Sequence, residues 1–160
     1  IKVNLRRFFL TVGFSGLSPK APGTVGSFVS LLIGLFLLEF LHVSTLFLLA
    51  LLITVIAIKQ IDIYENETQT HDNSEIVIDE LAGMWIALSI CGINSSNIII
   101  MATLAFIFFR IFDIWKPSII GKIDRDVKGG LGVMGDDVVA GIAAGIATSG
   151  TYQLIEKFIL

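Results

Sequence analysis

The chain has 160 residues, of which 16% are charged and 54% are hydrophobic, and its mean hydropathy is +0.86. A soluble domain of this length usually carries about a quarter charged residues, and so small a body cannot hide this much apolar surface from water. The composition therefore predicts a membrane protein and excludes intrinsic disorder. A single cysteine excludes a disulfide scaffold, and the net charge of −3 argues against a nucleic-acid partner, which requires a basic face.

The first segment, residues 1–14, predicts an interfacial helix. Apolar side chains recur along one helical stripe, and Lys2, Arg6 and Arg7 lie on the other side, as is typical of helices in the lipid headgroup region. A basic start before a short apolar patch also fits a signal peptide. However, Lys20 interrupts the stretch and no small-residue cleavage site follows, so we favour the interfacial helix.

The apolar stretches that follow predict an all-α membrane bundle. Four stretches contain no Asp, Glu, Lys or Arg: residues 21–38, 40–58, 81–109 and 138–155. A spanning helix needs about 20 apolar residues, so the 29-residue stretch must be divided, and turn-forming residues at 91–97 divide it. Whether its two halves cross fully or form a re-entrant hairpin stays open. The sequence predicts one domain, residues 1–160, with about five membrane helices at 26–40, 44–59, 79–92, 97–114 and 136–157.

The polar connections predict the orientation of this bundle. With five crossings, residues 1–25, 60–78 and 115–135 fall on one face, which carries ten of the eleven Lys and Arg residues. Only Lys157 lies opposite. Because basic residues near membrane helices stay in the cytoplasm, we expect a multi-pass protein whose polar face is cytoplasmic.

Ionisable residues at the helix ends on this face are the candidate functional residues, since such groups are costly at a membrane. Carboxylates gathered at one depth repel each other unless cations are present, and oxygen-rich sites suit Mg²⁺ or another hard divalent metal. The helix ends carry three pairs: Asp79 and Glu80, Arg110 and Asp113, and Asp136 and Asp137.

Each pair also has a purely structural interpretation. Acidic residues at a helix start commonly cap it, which fits Asp136 and Asp137 better than Asp79 and Glu80, because Glu is a poor cap. An Arg and an Asp spaced i, i+3, as in the third pair, form ordinary surface ion pairs. The coincidence of all three pairs at one depth favours the functional interpretation.

Other polar or glycine-bearing features are less specific. Two glycine-bearing loops, residues 18–27 and 128–135, either receive an anion on free backbone amides or simply permit tight turns. Gly141 and Gly145 predict close helix packing. His71 with Asp72 is a ligand pair, a base with the group that orients it, or part of a solvated loop. Cys91 is expected to be a small buried hydrophobe.

Five motifs occur in order between about residue 10 and residue 146: GFSGLSP at 13–19, APGTVGS at 21–27, IDELAGMW at 78–85, FRIFDIWKP at 109–117 and GGLGVMGDDVVAG at 129–141. In this order and spacing they resemble the motifs of the bacterial phosphatidylglycerophosphatase A family. One departure is the loop at residues 64–71, which matches less well and leaves His71 and Asp72 open as site residues.

The resemblance implies a Mg²⁺-dependent phosphatase of the bacterial cytoplasmic (inner) membrane. It would release the terminal phosphate of the phospholipid phosphatidylglycerophosphate. On this basis we interpret Asp113 as either a further metal ligand or the base that orients water. The predicted metal ligands are Asp79, Glu80, Asp136 and Asp137, and the predicted phosphate-binding residues are Lys20, Arg110 and Lys116.

Alternative functions stay open at this stage. A phosphatase for another lipid or polyprenyl phosphate would carry the same chemistry, because the sequence does not identify the headgroup. An ion-coupled or proton-coupled transporter would place ionisable groups near the membrane midplane, and a non-catalytic scaffold would show no metal dependence. The glycine-rich last helix is compatible with a homo-oligomer, and the number of metal ions is undetermined.

Overall fold

The computed structural model describes residues 2–71 and 73–159, with side chains from Leu5 onward. Helices account for 79% of the residues, and no strand occurs among those described, which confirms the predicted all-α class. A short 3-10 helix, Ser15–Leu17, separates the first two α-helices. The α-helices are α1 Lys2–Leu10, α2 Pro22–Leu38, α3 Val43–Thr68, α4 Ile78–Ile90, α5 Ile98–Trp115, α6 Ile119–Asp126 and α7 Gly129–Phe158.

Within the described ranges, three helices are long and apolar enough to cross a membrane by length and composition: α3, α5 and α7. The apolar helix α2 has 17 residues and α4 has 13. At 1.5 Å per residue α4 is about 20 Å long, shorter than the roughly 30 Å hydrocarbon core of a bilayer. The structure therefore supports a membrane bundle of long spans and shorter apolar helices.

Helix α4 is the buried centre of this bundle, and α2, α3, α5 and α7 all pack against it. Ten of its 13 residues are buried, as expected of a helix that is apolar on nearly every side. Met84, Ala87 and Leu88 are fully enclosed. The indole Nε1 of Trp85 donates to the backbone oxygen of Ser30 at 2.9 Å, which ties α4 to α2. The side chains of α4, including most of those in its first turn, therefore lie buried between the neighbouring helices.

Helix α1 is attached to the C-terminal half of α3 and to the segment before α4 by its basic side chains. Arg6 donates to Gln60 and forms an ion pair with Glu67, both on α3. Arg7 pairs with Glu75 at 2.9 Å. The outward side chains include Leu5, which is 69% exposed, so the helix presents apolar groups away from the protein, in line with the predicted interfacial helix.

The tight turns that the sequence predicts between the helices at 26–40 and 44–59, and at residues 91–97, are confirmed. The turn between α2 and α3 ends at His42, whose Nδ1 accepts a hydrogen bond from the backbone N–H of Ser44 at 3.3 Å. The turn between α4 and α5 is held by Asn94 and Asn97, whose side-chain oxygens accept backbone N–H groups. Both turns lie close to the predicted positions, and the second divides the 29-residue uncharged stretch.

The predicted boundaries of two polar connections were wrong. Helix α3 continues nine residues beyond residue 59 to Thr68, and the connection 115–135 contains α6 and the start of α7. A helix can leave the apolar region without ending when neighbouring elements satisfy its polar side chains, and Gln60 and Glu67 have partners on α1.

The glycine run at residues 128–135 is the first part of α7 and not an anion-binding loop. A Cβ on Gly130 would lie 2.2 Å from the backbone oxygen of Ile58, so glycine is needed for the close approach of α7 to α3. The backbone N–H of Gly130 donates to Asp62 Oδ1 at 2.7 Å. A carboxylate from α3 thus satisfies an amide at the start of α7, as a capping residue would.

The predicted packing role of Gly141 and Gly145 is confirmed. A Cβ on Gly141 would lie 2.3 Å from the backbone oxygen of Gly83, and one on Gly145 would lie 2.7 Å from Cβ of Ile90. Small residues let helix backbones approach closely where lipid provides little drive for association. These contacts set the position of α7 against α4, and with it the position of the acidic residues on both helices.

Gly141→Ala is expected to lower the thermal unfolding temperature of the purified protein in detergent. The added methyl group must push α7 away from the α4 backbone, and overpacking of this kind typically costs about 1–3 kcal/mol. Gly150 in the same helix is the matched control, because a Cβ there meets nothing within 4 Å. Gly150→Ala should leave the temperature unchanged or raise it slightly; an equal loss in both variants would contradict the packing role.

Candidate active site

Four helix segments meet at one end of the bundle and bring the predicted charged residues together. They are the first turns of α2 and α4, the end of α5 and the third turn of α7. Gly23, Glu80 and Arg110 meet at the α2–α4–α5 junction, and Gly83 contacts the backbone of Asp137 at the α4–α7 crossing. The site is therefore assembled from segments far apart in the chain.

Arg110 is the centre of the ionic contacts. Its NH1 nitrogen lies 2.6 Å from Asp113 Oδ2, 2.7 Å from Glu80 Oε2 and 3.1 Å from Ser27 Oγ. The three charged side chains are only 14%, 13% and 9% exposed, in the order Arg110, Asp113, Glu80. The pair predicted at i, i+3 therefore exists, but it is buried and shared with α4, so it is not an ordinary surface ion pair.

Glu80, Asp113 and Asp137 each place a carboxylate oxygen within 4.8 Å of the others. Oδ2 of Asp137 and Oδ1 of Asp79 are buried without a hydrogen-bond partner among the residues that the structure describes. Buried polar atoms are normally hydrogen-bonded, and like charges this close repel strongly. Three converging carboxylates, one of which has a buried oxygen without a donor, fit a hard divalent cation such as Mg²⁺.

Asp136 faces a different partner from Asp137. Its Oδ2 accepts from Lys116 Nζ at 2.8 Å, and the same ammonium group lies 2.5 Å from Asp124 Oδ1 on α6. Burial alone would lower the pKa of Lys116, but the hydrogen bonds and charges of the two carboxylates outweigh it and raise that pKa above its ordinary value. Lys116 therefore stays protonated at neutral pH and links Asp136 to α6.

The start of α2 is in contact with Glu80 and Arg110. A Cβ on Gly23 would lie 2.5 Å from Glu80 Oε1 and 3.5 Å from a guanidinium nitrogen of Arg110. A larger residue here would therefore have to displace the end of the Glu80 side chain. No side-chain hydrogen bond caps this helix at Ala21, and Lys20 beside it is exposed. The first turn of α2 thus presents backbone amides next to Arg110, an arrangement that favours anions.

Comparison with known proteins identifies the family of this chain. The family model of phosphatidylglycerophosphatase A matches residues 8–152. The chain belongs to the phosphatidylglycerophosphatase A family. Its similarity to a phosphatidylglycerophosphatase A of Escherichia coli K12 is 41% identity over 139 residues, covering 86% of this chain and 78% of that protein.

Two further relatives match this chain over similar lengths. A phosphatidylglycerophosphatase A of Haemophilus influenzae is 37% identical over 136 residues, 84% of this chain and 82% of that protein. A Bacteroides thetaiotaomicron protein that bears the provisional name phosphatidylinositol-3-phosphatase is 39% identical over 132 residues, 80% of this chain and 81% of that protein. No solved structure matches the chain significantly.

Asp136 and Asp137 do not cap a helix, so the purely structural interpretation of this pair is wrong. Helix α7 begins at Gly129 with Lys128 as its N-cap, so the two aspartates lie in its third turn. Both are nearly inaccessible, at 4% and 2% exposure. At the start of α4, Glu80 turns to Arg110 and does not cap the helix. The acids therefore owe their positions to tertiary contacts.

The structure groups the predicted site residues unevenly. Glu80, Asp113 and Asp137 form one cluster, which Asp79 adjoins closely enough to repel the charge of Asp137. Lys116 engages carboxylates. Lys20 is exposed and forms no ion pair within residues 2–71 and 73–159.

His71 and Cys91 are not among the residues that form the cluster. His71 is exposed and its Nδ1 lies 3.1 Å from Glu65 Oε1, whereas Asp72 lies outside the described residues. Cys91 is 1% exposed, and burial raises the pKa of its thiol to about 11, which fits a small buried residue and not a nucleophile.

Two contributors to the site region were missed by sequence reasoning. Asp62 binds the start of α7 and Ser27 binds Glu80. Ser27 is the last residue of the APGTVGS motif, so the motif includes it. A serine inside an apolar helix, however, usually donates its hydroxyl hydrogen to a backbone oxygen of the same helix. Asp62 carries no local signal, because its partner is a backbone amide 68 residues away.

Proposed function

We propose that this protein is a membrane phosphatase that hydrolyses phosphatidylglycerophosphate to phosphatidylglycerol and phosphate with the aid of Mg²⁺. The observation that carries the proposal is the convergence of three carboxylate oxygens from α4, α5 and α7 within 4.8 Å in a member of the phosphatidylglycerophosphatase A family. The Escherichia coli and Haemophilus influenzae relatives are named for this activity.

The proposed metal ligands are Glu80, Asp113 and Asp137, with the buried Oδ1 of Asp79 beside them. All are hard oxygen donors, the type that Mg²⁺ prefers. When bound, Mg²⁺ would neutralise the cluster, polarise the phosphoryl group and make water a better nucleophile. We assign Asp113 to the metal and not to water activation, since it belongs to the cluster. Asp136, which the sequence placed in this set, is held by Lys116 instead.

The proposed phosphate-binding residues are Arg110, Lys116 and Lys20, together with the first amides of α2. Arg110 uses NH1 for Glu80 and Asp113, while its buried Nε has no hydrogen-bond partner in the described part of the chain. A guanidinium binds phosphate oxygens well through two parallel donors. These groups would orient the phosphoryl group while the acyl chains stay in the bilayer.

The proposed location is the bacterial cytoplasmic membrane, with the site facing the cytoplasm. The site end of the bundle carries Arg6, Arg7, Arg110 and Lys116, whereas Lys157 lies in the last turn of α7. Basic residues near membrane helices stay on the cytoplasmic side. A single domain and a homo-oligomeric assembly stay predictions from the sequence.

The proposal is tested by phosphate release from purified protein in mixed micelles. The substrates are phosphatidylglycerophosphate, phosphatidate, phosphatidylinositol 3-phosphate and a polyprenyl phosphate, each with Mg²⁺ or with EDTA. We expect the fastest release from phosphatidylglycerophosphate and loss of activity in EDTA. Equal activity with Mg²⁺ and with EDTA would refute the role of a metal ion. Absence of phosphate release from every lipid would refute phosphatase activity.

A second candidate function, hydrolysis of another lipid phosphomonoester, is favoured by the name of the Bacteroides thetaiotaomicron relative. The cluster and Arg110 would act on the phosphoryl group in the same way for either headgroup. Faster release from phosphatidylinositol 3-phosphate than from phosphatidylglycerophosphate would select this alternative.

A further inference from the structure

Ser27 on α2 makes a contact with the acidic cluster that neither the motifs nor the proposed chemistry requires. Its side chain is fully buried, and its Oγ lies 2.5 Å from Glu80 Oε2 and 3.1 Å from Arg110 NH1. The same oxygen lies 2.8 Å from the backbone oxygen of Gly23, one turn earlier. The Ser27 side chain therefore links α2 by hydrogen bonds to both members of the Glu80–Arg110 pair.

Ser30, one turn further along α2, shows what a buried serine does without such a contact. It is also fully buried, and its Oγ donates to the backbone oxygen of Gly26 at 2.7 Å. A hydroxyl group in a helix is normally satisfied in this way. Ser27 has the equivalent backbone acceptor in Gly23, but its one hydroxyl hydrogen serves one acceptor at a time, and the shorter of its two distances is to Glu80 Oε2. Burial alone does not require this approach to Glu80, because the backbone oxygen of Gly23 could accept the hydrogen instead.

The contacts to Glu80 hold one oxygen of the carboxylate. Ser27 and Arg110 both engage Oε2, whereas Oε1 lies against Gly23, where a Cβ would be only 2.5 Å away. Arg110 is divided between Glu80 and Asp113 through a single nitrogen, so it cannot set the orientation of Glu80 independently of Asp113. Ser27 contacts Glu80 and, among the described residues, none of the other acids of the cluster.

We propose that Ser27 is a positioning residue, which fixes the Glu80 carboxylate in the orientation in which it joins Asp113 and Asp137. The inference rests on the proposed function, because it assigns Glu80 to the cation. Hydrogen-bonding partners behind metal ligands typically contribute about 10- to 100-fold to metal affinity or activity. Ser27 would supply that support without itself touching cation or phosphate.

The test is direct Mn²⁺ binding to purified protein in detergent, followed by the electron paramagnetic resonance signal of free Mn²⁺. We expect Ser27→Ala to bind Mn²⁺ about tenfold more weakly than the unaltered protein. Ser27→Thr, which keeps the hydroxyl group, should restore most of the affinity. Ser30→Ala is the matched control, since it removes an equally buried serine of the same helix, and it should bind like the unaltered protein. The Mg²⁺ concentration for half-maximal phosphate release should shift in parallel.

The outcomes separate this inference from the proposed function. If Ser27→Ala and Ser30→Ala bind Mn²⁺ equally well, Ser27 has no positioning role even though the metal site stands. If the unaltered protein binds no Mn²⁺, the metal assignment itself falls and the role of Ser27 falls with it. Should Ser27→Ala fail to fold, Ser27→Cys takes its place, because a thiol fills similar space with much weaker hydrogen bonding, and the same tenfold loss is expected.

Discussion

Asp137→Asn is expected to abolish most phosphate release while making the metal-free protein more stable. Asp137 is 2% exposed and its Oδ2 has no hydrogen-bond partner in the parts of the chain that the structure describes. Without a cation its charge is repelled by Asp79, Glu80, Asp113 and Asp136. An amide removes that repulsion and can donate to a neighbouring carboxylate, but it is a poorer metal ligand.

The measurement combines activity with thermal unfolding. We expect kcat to fall by about 10²- to 10³-fold, as when a charge-stabilising group is lost from an active site. In EDTA the unfolding temperature of the variant should exceed that of the unaltered protein by a few degrees. Mg²⁺ should raise the temperature of the unaltered protein, because it binds the folded state, and should have little effect on the variant.

Asp126→Asn is the matched control for this prediction. Asp126 ends α6 and is exposed, so the change removes one negative charge outside the cluster. It should leave both kcat and the response to Mg²⁺ unchanged. A variant at Asp137 that keeps normal activity, or that loses activity and stability together in EDTA, would contradict the interpretation of the cluster as a cation site.

Arg110→Gln is expected to lower both stability and activity. One guanidinium nitrogen lies within 2.7 Å of carboxylate oxygens of Glu80 and Asp113, and all three side chains are less than 15% exposed. Removing the cation leaves two buried carboxylates without their partner. Such a loss typically costs about 3–5 kcal/mol in the free energy of unfolding. Phosphate release should fall by about 10²-fold or more, because the proposed phosphate-binding group is lost as well.

A double-mutant cycle distinguishes the ion pairs from a general packing effect. Arg110→Gln with Asp113→Asn should recover part of the stability lost in Arg110→Gln, because the second change removes one of the carboxylates left unpaired. Activity should not recover. Arg110→Lys keeps the charge but not the planar group with its several donors, so it should retain more stability than activity. Additive effects of Arg110→Gln and Asp113→Asn on stability would contradict the shared ion pair.

Much of the fold could be predicted because lipid imposes strong constraints on sequence. Long uncharged stretches must be helical there, so the helices and the tight turns near residues 40–44 and 91–97 followed from composition. The predicted end of α3 and the predicted start of α7 were wrong for the same reason. Charged residues and glycines are typical of loops, but here the Asp62 carboxylate accepts a hydrogen bond from the backbone N–H of Gly130, and both residues lie within helices that pack side by side.

The site could be predicted only as a set of residues at one end of the bundle. Alternating helix directions place Glu80, Arg110 and Asp137 at the same end. Nothing local indicated that Asp137 would face the cluster while its neighbour Asp136 would face Lys116. Adjacent residues on a helix point about 100° apart, so the helices that surround α7 decide the partner of each.

The amino-acid sequence was enough to establish that this chain belongs in a membrane and that its few charges gather at one end, because the transfer of charge into lipid is costly wherever the residue lies in the fold. The tertiary structure alone decided which carboxylates form the cluster and which are neutralised by Arg110 and Lys116. Electrostatic and metal-binding interactions act over a few ångströms, and those distances are set by close helix packing at residues such as Gly26 and Gly141.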